Sequence, residues 1–351
     1  MSLNGCCLVT DNALGRGGVP FRLPSTGAES RYVGQRGRGG DALVEILGSS
    51  AARLVLTAFA VEAVLAGGNS VAIRFSNREL APLWGAGMRF ALGASLIVAV
   101  MAAMKLAIPR GRALMGALLF GLFQFAGAFG LYYYALVEIH AGLGQTLLAL
   151  VPLATLVLAV AQGQERLRGA ATVGTLIGLV GVGLISRDPL RGSVPLLSLL
   201  AVLGSVLCFA QALVLIRRFP PIHPVVLNAV GMVVAAPVLI GASAVAGEPF
   251  VLPQRVETWI ALGYVAGIGS VVVFLLHVYV VQRWSASRTA YVMVLIPFVT
   301  VVLSAWLDQE PVTTGLVLGG LLVIAGVYVG ALRQTRVLVT SAGSSTGTGA
   351  G

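Results

Sequence analysis

From residue 54 to residue 332 the chain is a succession of long apolar runs separated by short polar breaks. The runs fall at about 54–74, 83–104, 113–135, 141–161, 169–186, 195–216, 224–246, 258–281, 287–306 and 313–332. Each approaches the ~20 residues that a helix needs to cross the hydrocarbon of a bilayer. The pattern predicts an all-α polytopic membrane protein with ten transmembrane helices. The flanks differ. Residues 1–50 are rich in Gly, Arg and Ser and lack periodicity, so a disordered basic tail is expected there. The tail reads either as a lipid-binding arm or as a dispensable segment, even a start placed too early. No apolar core of signal-peptide type precedes residue 53. Residues 334–351 read as a flexible C-terminal tail.

Composition fits this picture. Of 351 residues, 57% are hydrophobic and 10% charged, against the ~25% charged residues of an ordinary soluble domain. So much apolar surface cannot be covered by a soluble fold of this size, and a lipid bilayer is the expected environment. The net charge of +10 does not point to nucleic acid. Its arginines sit in the tail and in short loops, with no basic-aromatic face. Cys6, Cys7 and Cys208 make no disulfide framework, and no Cys/His cluster has metal-ligand spacing, so neither a metal nor a cofactor is expected.

The loop charges orient the chain. With the N-terminus in the cytoplasm, that side holds the tail arginines through Arg53, Lys105, Arg110, Arg112, Arg166, Arg168, Arg217, Arg218, Arg283, Arg288, Arg333 and Arg336. The other side holds only Arg74, Arg78, Arg187, Arg191 and Arg255. Both termini are therefore expected in the cytoplasm, and the protein in the cytoplasmic membrane.

A shift of 145 residues superposes 141–182 on 286–327. Pro152, Thr155, Gln164, Glu165, Gly174 and Gly181 meet Pro297, Thr300, Gln309, Glu310, Gly319 and Gly326. Apolar coincidences are cheap in such a sequence; polar, Pro and Gly coincidences in one register are not. Each half crosses five times, and an odd number inverts the second half against the first. Inverted repeats are a mark of secondary transporters, with the site where the halves meet.

The same residues resemble a known family. Gly68-Asn69-Ser70, Pro82, Arg89-Phe90, Tyr133-Tyr134-Ala135-Leu136, Ala141-Gly142, Pro152, Glu165, and Ala286 through Glu310 resemble, in order and spacing, the EamA-type members of the drug/metabolite transporter superfamily. The resemblance spans two five-helix repeats, residues 53–187 and 195–333. It implies an exporter or importer of small metabolites, working by alternating access in the inner membrane. It also implies a central cavity bounded by helices 1–4 and 6–9, with helices 5 and 10 to one side. Two features depart from the family pattern: Ala66-Gly67-Gly68 replaces its usual Trp-Gly, and Glu62 stands within helix 1.

Polar groups within hydrocarbon are costly and tend to face a cavity or a partner. Glu62 sits about 13 Å into the first helix. Glu62, Ala66 and Asn69 fall on one helical face. Glu62 either binds a cationic group or carries a coupling proton, or it is a structural hydrogen-bonded acid. Arg89 either binds a carboxylate, pairs with Glu62 as a gate, or staples helices. Gln124 either faces substrate or bonds a neighbouring helix. Tyr133 is the one of three consecutive tyrosines placed at the cavity; the aromatic belt accounts for the others and for Trp306. Gln145 joins Asn69 and Arg89 towards the outer end. Gln211, Asn228, His277 and Tyr291 form an inverted echo towards the cytoplasmic end, and His277 reads either as a proton carrier or as an interfacial histidine. Pro152 and Pro297 each free the carbonyl four residues earlier and serve either as gating bends or as static kinks. Gly174–Gly178 and Gly326–Gly330 have small-xxx-small spacing, which packs helices within the chain or joins a homodimer. Glu165 and Glu310, each before a helix, are expected to favour its N-terminus.

No Walker-type loop is present, and His140, His223 and His277 are too far apart for a clustered catalytic site. The expectation is a secondary carrier of a small-molecule substrate, not an enzyme. A membrane-embedded enzyme or a channel is the alternative.

Overall fold

The computed structural model describes residues 50–164, 169–186, 195–283 and 292–329, and within them every regular element is helical. In chain order α1 is Ser50–Asn77, α2 Pro82–Ala103, α3 Arg112–Ala135 and α4 Ala141–Ala161. Next come α5, Gly169–Ser186, α6, Leu196–Ile216, and α7, Pro224–Val245. The next helix, α8, joins Val256–Gly263, Tyr264–Val272 and Val273–Arg283. The last two are α9, Val292–Leu307, and α10, Thr314–Val327.

Ten crossings were expected. Among the described residues seven helices, α1–α4 and α6–α8, are both long and apolar enough to cross a membrane. The described part of α5 has 18 residues, that of α9 16 and that of α10 14. Both tails, Glu165 and Tyr291 lie outside the described residues. Large apolar side chains cover the outside of the bundle: Leu176, Val180, Leu196, Val302 and Trp306 are exposed. Such a belt suits lipid rather than water.

Of the four closest helix pairs three run antiparallel, while α1 and α9 run parallel, with Gly67 beside Thr300 and Arg74 beside Asp308. The main pairings are α2 with α7, α5 with α10, α1 with α9 and α3 with α6. The pair α5–α10 meets the rest chiefly through α4. Lipid gives no hydrophobic drive for helices to associate, so close packing of small residues must hold them. A Cβ on Gly326 would come within 2.5 Å of the Gly174 carbonyl oxygen, and one on Gly181 within 2.6 Å of the Gly319 oxygen. The glycine seam anticipated for either packing or dimerisation thus joins α5 to α10 within one chain.

One end of the bundle is stitched by carboxylates that cap helices distant in sequence. Glu248 accepts from the Leu83 and Trp84 amides at the start of α2, at 3.2 and 2.9 Å. Glu310 accepts from Ala141 and Gly142 at the start of α4, at 2.7 and 3.2 Å. Glu79 accepts from Gln254 and Arg255 at the start of α8, and Ser198 near the start of α6 donates to Glu138. Free amides and the helix dipole make each N-terminus attract an anion. The expectation for Glu310 changes accordingly: it serves α4, while α10 is capped by Thr313, whose hydroxyl accepts from Leu316 at 3.2 Å. At this end Arg74 also bonds Asp308 at 2.8 Å and the Ile139 carbonyl at 2.6 Å, and Arg78 pairs with Asp308. We refer to it as the Asp308 end, and to the opposite one as the Lys105 end.

Candidate functional site

Two of the helices that wall the bundle's interior loosen midway. Leu122–Gly127 of α3 and Tyr264–Val272 of α8 are π-helical. They overlap under the same 145-residue shift that relates the halves, and π segments recur at functional sites because the wider turn re-aims side chains. In α4, Ala149 and Leu150 interrupt the helix just before Pro152, which cannot donate to the ladder.

These irregular segments surround a cavity of about 320 Å³. From α1 it takes Glu62, Ala66 and Asn69, the single face expected from their spacing, and also Ser70 and Ile73. Arg89 comes from α2, Gln124, Phe125, Phe129 and Tyr132 from α3, and Gln145 and Leu148 from α4. The second half supplies Asn228, Met232, Gly269, Ser270, Phe274, His277 and Ile296.

The acid and the imidazole meet. His277 Nδ1 lies 2.7 Å from Glu62 Oε1, and Glu62 is buried while His277 is about a third exposed. Arg89 does not pair with Glu62. It is fully enclosed, its Nε donates to Ser270 Oγ at 3.3 Å, and its guanidinium lies over the Phe129 ring at 4.5 Å. Near the Asp308 end Ser70 Oγ bonds Tyr132 Oη and Gln145 Oε1, both at 2.8 Å. Four buried polar atoms on residues that line this cavity have no hydrogen-bond partner among the described residues: Glu62 Oε2, Asn69 Oδ1, Gln124 Oε1 and Arg89 Nη1. Burying such atoms unpaired costs about 1–3 kcal/mol each, more when charged. The residues that carry these three acceptors and one donor line one space, a set of groups that a polar solute can complete.

Of the residues singled out from the sequence, the cavity gathers Glu62, Asn69, Arg89, Gln124, Gln145, Asn228 and His277. Tyr133 is instead buried beside Arg89 on the bundle side, and its neighbour Tyr132 lines the cavity. Gln211 is elsewhere, accepting from Gln162 Nε2 at 2.7 Å near the Lys105 end. Tyr291 lies outside the described residues. Pro152 and Pro297 do not line the cavity; Leu148 and Ile296, close to them in sequence, do. Ser70, Tyr132 and Ser270 were not anticipated. Ser70 was within reach of sequence reasoning, since it follows Asn69 on a helix whose polar face was already identified. Gly269 has its own reason to be there. A Cβ on it would fall 2.0 Å from Asn69 Oδ1, so only glycine leaves Asn69 its place.

Known proteins place the same architecture in context. The model of the EamA-like transporter family matches residues 53–187 and again 196–331. An uncharacterized inner membrane transporter of Escherichia coli strain K12, YedA, is 29% identical over 254 residues, which is 70% of this chain and 80% of that protein. The YedA protein of Escherichia coli O157:H7 matches equally. A solved structure described as "Crystal structure of protein" shares the fold with a TM-score of 0.57 at 18% identity, covering 81% of this chain and 99% of its own.

Proposed function

The chain belongs to the EamA-like transporter family of membrane transporters, and from that premise we propose that it is a secondary active carrier of a small organic metabolite or drug. In this reading ten helices, in two inverted repeats of five, span the cytoplasmic membrane with both termini in the cytoplasm. The observation that carries the proposal is the cavity between the halves, where Glu62, Asn69, Gln124 and Arg89 present unpaired polar atoms. Substrate occupies that space and completes those bonds. Glu62 and His277, 2.7 Å apart, form the coupling pair: the carboxylate and the imidazole are the groups that would carry the coupling proton, and with it the charge that Glu62 offers the solute changes.

For direction we infer export, a reading supported by which end is tied shut. At the Asp308 end Arg74, Arg78, Asp308 and Glu310 tie α1 to the segment between α9 and α10. The more exposed partner of the pair, His277, lies in the half of α8 nearer the Lys105 end. With that end cytoplasmic, the cavity is poised to load from inside, which suits export.

The test is counterflow in proteoliposomes. A carrier exchanges labelled for unlabelled solute without net driving force; a channel or an enzyme does not. Glu62→Gln should retain exchange while losing at least about tenfold of the pH-driven flux, the equivalent of one charged hydrogen bond. An unchanged pH dependence in Glu62→Gln refutes the coupling role, and absence of exchange refutes the carrier.

A further inference from the structure

Away from the central cavity, two clefts meet on the flank of the bundle. The larger, about 480 Å³, lies between α1, α8 and α9. Its walls are almost wholly aliphatic, with Val64, Leu65, Ile260 and Leu303 among them. The one hydroxyl there, on Tyr264, donates to the Leu65 carbonyl at 2.8 Å and so is satisfied. The smaller cleft, about 380 Å³, sits at the Asp308 end and is lined by Phe75, Arg78, Arg255, Glu257 and Thr258. Phe75 and Glu257 belong to both, so the groove is continuous: apolar along the helices and charged at their ends.

We propose that this groove binds one zwitterionic phospholipid of the ethanolamine class, with its phosphate between Arg78 and Arg255, its ammonium at Glu257 and an acyl chain along α1, α8 and α9. Charge complementarity selects this occupant. Arg78 spends one of its five N–H donors on Asp308 and is held flat over the Phe75 ring at 4.1 Å, leaving donors for a phosphate. The other acid nearby, Glu79, is engaged elsewhere: the Thr258 hydroxyl and the Gln254 and Arg255 amides bind it and hold its pKa below the ordinary value. Glu257 is exposed at the mouth. Val64, Ile260 and Leu307 are exposed along the rim, where the cleft opens to the bilayer. A water-soluble solute would find no polar partner along the aliphatic part.

The site stands apart from the transport cavity, on the opposite face of α1: Leu65, Gly68 and Ala72 face the groove, while Ala66, Asn69 and Ile73 face the cavity. The full-length chain is reconstituted in nanodiscs of mixed phosphatidylethanolamine and phosphatidylglycerol, released in mild detergent and weighed by native mass spectrometry. One phosphatidylethanolamine per chain is expected. Arg255→Gln, an exposed change that keeps the capping amide, should lower its retention at least about tenfold, the loss of one charge-assisted bond. Ala72→Trp, which fills the cleft, should abolish it. Circular dichroism checks that both variants stay folded. No retained phospholipid, equal retention by the wild type and both folded variants, or retention of phosphatidylglycerol alone overturns the proposal. Binding is read without flux, so this result and the counterflow result fail independently.

Discussion

Replacing Glu310 by Gln tests whether the Asp308 end is held by its long-range caps. Glu310 is buried, and its carboxylate accepts from the first two amides of α4, at 2.7 and 3.2 Å. It also lies 3.2 Å from Arg74 Nε and 3.4 Å from His140 Nδ1. Burial alone would raise its pKa. Contacts from His140, from the Ala141 and Gly142 amides and from Arg74 outweigh burial and hold it down at about 2, from an ordinary 4.5. Gln keeps one acceptor but loses the charge and turns an NH2 towards amides that cannot accept from it. A lost cap costs about 1 kcal/mol, and a favourable charge at a helix N-terminus is worth about 0.3–1 kcal/mol, up to ~2 when partly buried. The sum is about 1–3 kcal/mol. A depressed carboxylate contributes stability above its unfolded pKa and loses it as pH falls through the folded one. The deficit of Glu310→Gln should therefore be constant above about pH 5, shrink below 4.5 and be nearly gone near 2. Thermal unfolding in detergent, followed by tryptophan fluorescence from pH 7 down to 3, reads it. Thr313→Ala is the control: it removes the α10 cap for about 1 kcal/mol with no such pH dependence. A Glu310→Gln variant as stable as wild type at pH 7, or with the same deficit at pH 3, refutes the reasoning.

Two glycine substitutions should separate stability from transport. Gly326→Ala gains about 1 kcal/mol of helix propensity, but its Cβ meets the Gly174 oxygen at 2.5 Å and the Gly178 nitrogen at 2.7 Å. Backbone cannot rotate away, so the α5–α10 pair should lose about 1–3 kcal/mol net in a thermal shift assay, with flux per folded molecule retained. Gly269→Ala meets only the Asn69 side chain, which can turn, so its unfolding temperature should stay within a few degrees of wild type while counterflow falls at least about tenfold. A flux-neutral Gly269→Ala would remove Asn69 from the site.

Much of the fold is legible in the hydrophobic pattern, because crossing hydrocarbon imposes a helix length that few other constraints disturb. The expected run 141–161 coincides with α4, and the ends of α2, α3, α6 and α7 agree with their expected runs within a residue. What the pattern misses are partners. Glu310 was read against the helix that follows it, since sequence distance is all a single chain offers, yet it caps α4, 169 residues away. Arg74 and Arg78 served only to orient the chain, and nothing in their spacing announces Asp308. The tyrosine chosen at the cavity was one residue off because consecutive helical residues point about 100° apart. The π segment just before them, Leu122–Gly127, adds to a helix a turn that no regular period can foresee.

That same irregularity explains how two similar halves make one unsymmetrical site. The 145-residue shift carries Gln124 onto Gly269, so both π segments occupy equivalent places in α3 and α8. One presents an amide to the cavity; the other presents no side chain and thereby admits Asn69 from α1. His277 of α8 then meets Glu62, where the shifted position in α3, 132, holds the Tyr132 that bonds Ser70. Inversion alone would give a cavity with equivalent walls. It is the exchange of Gln for Gly and of Tyr for His at related positions that lets the ionisable pair bridge the two halves, Glu62 from the first and His277 from the second, while the neutral hydroxyl–amide chain of Ser70, Tyr132 and Gln145 stays within the first.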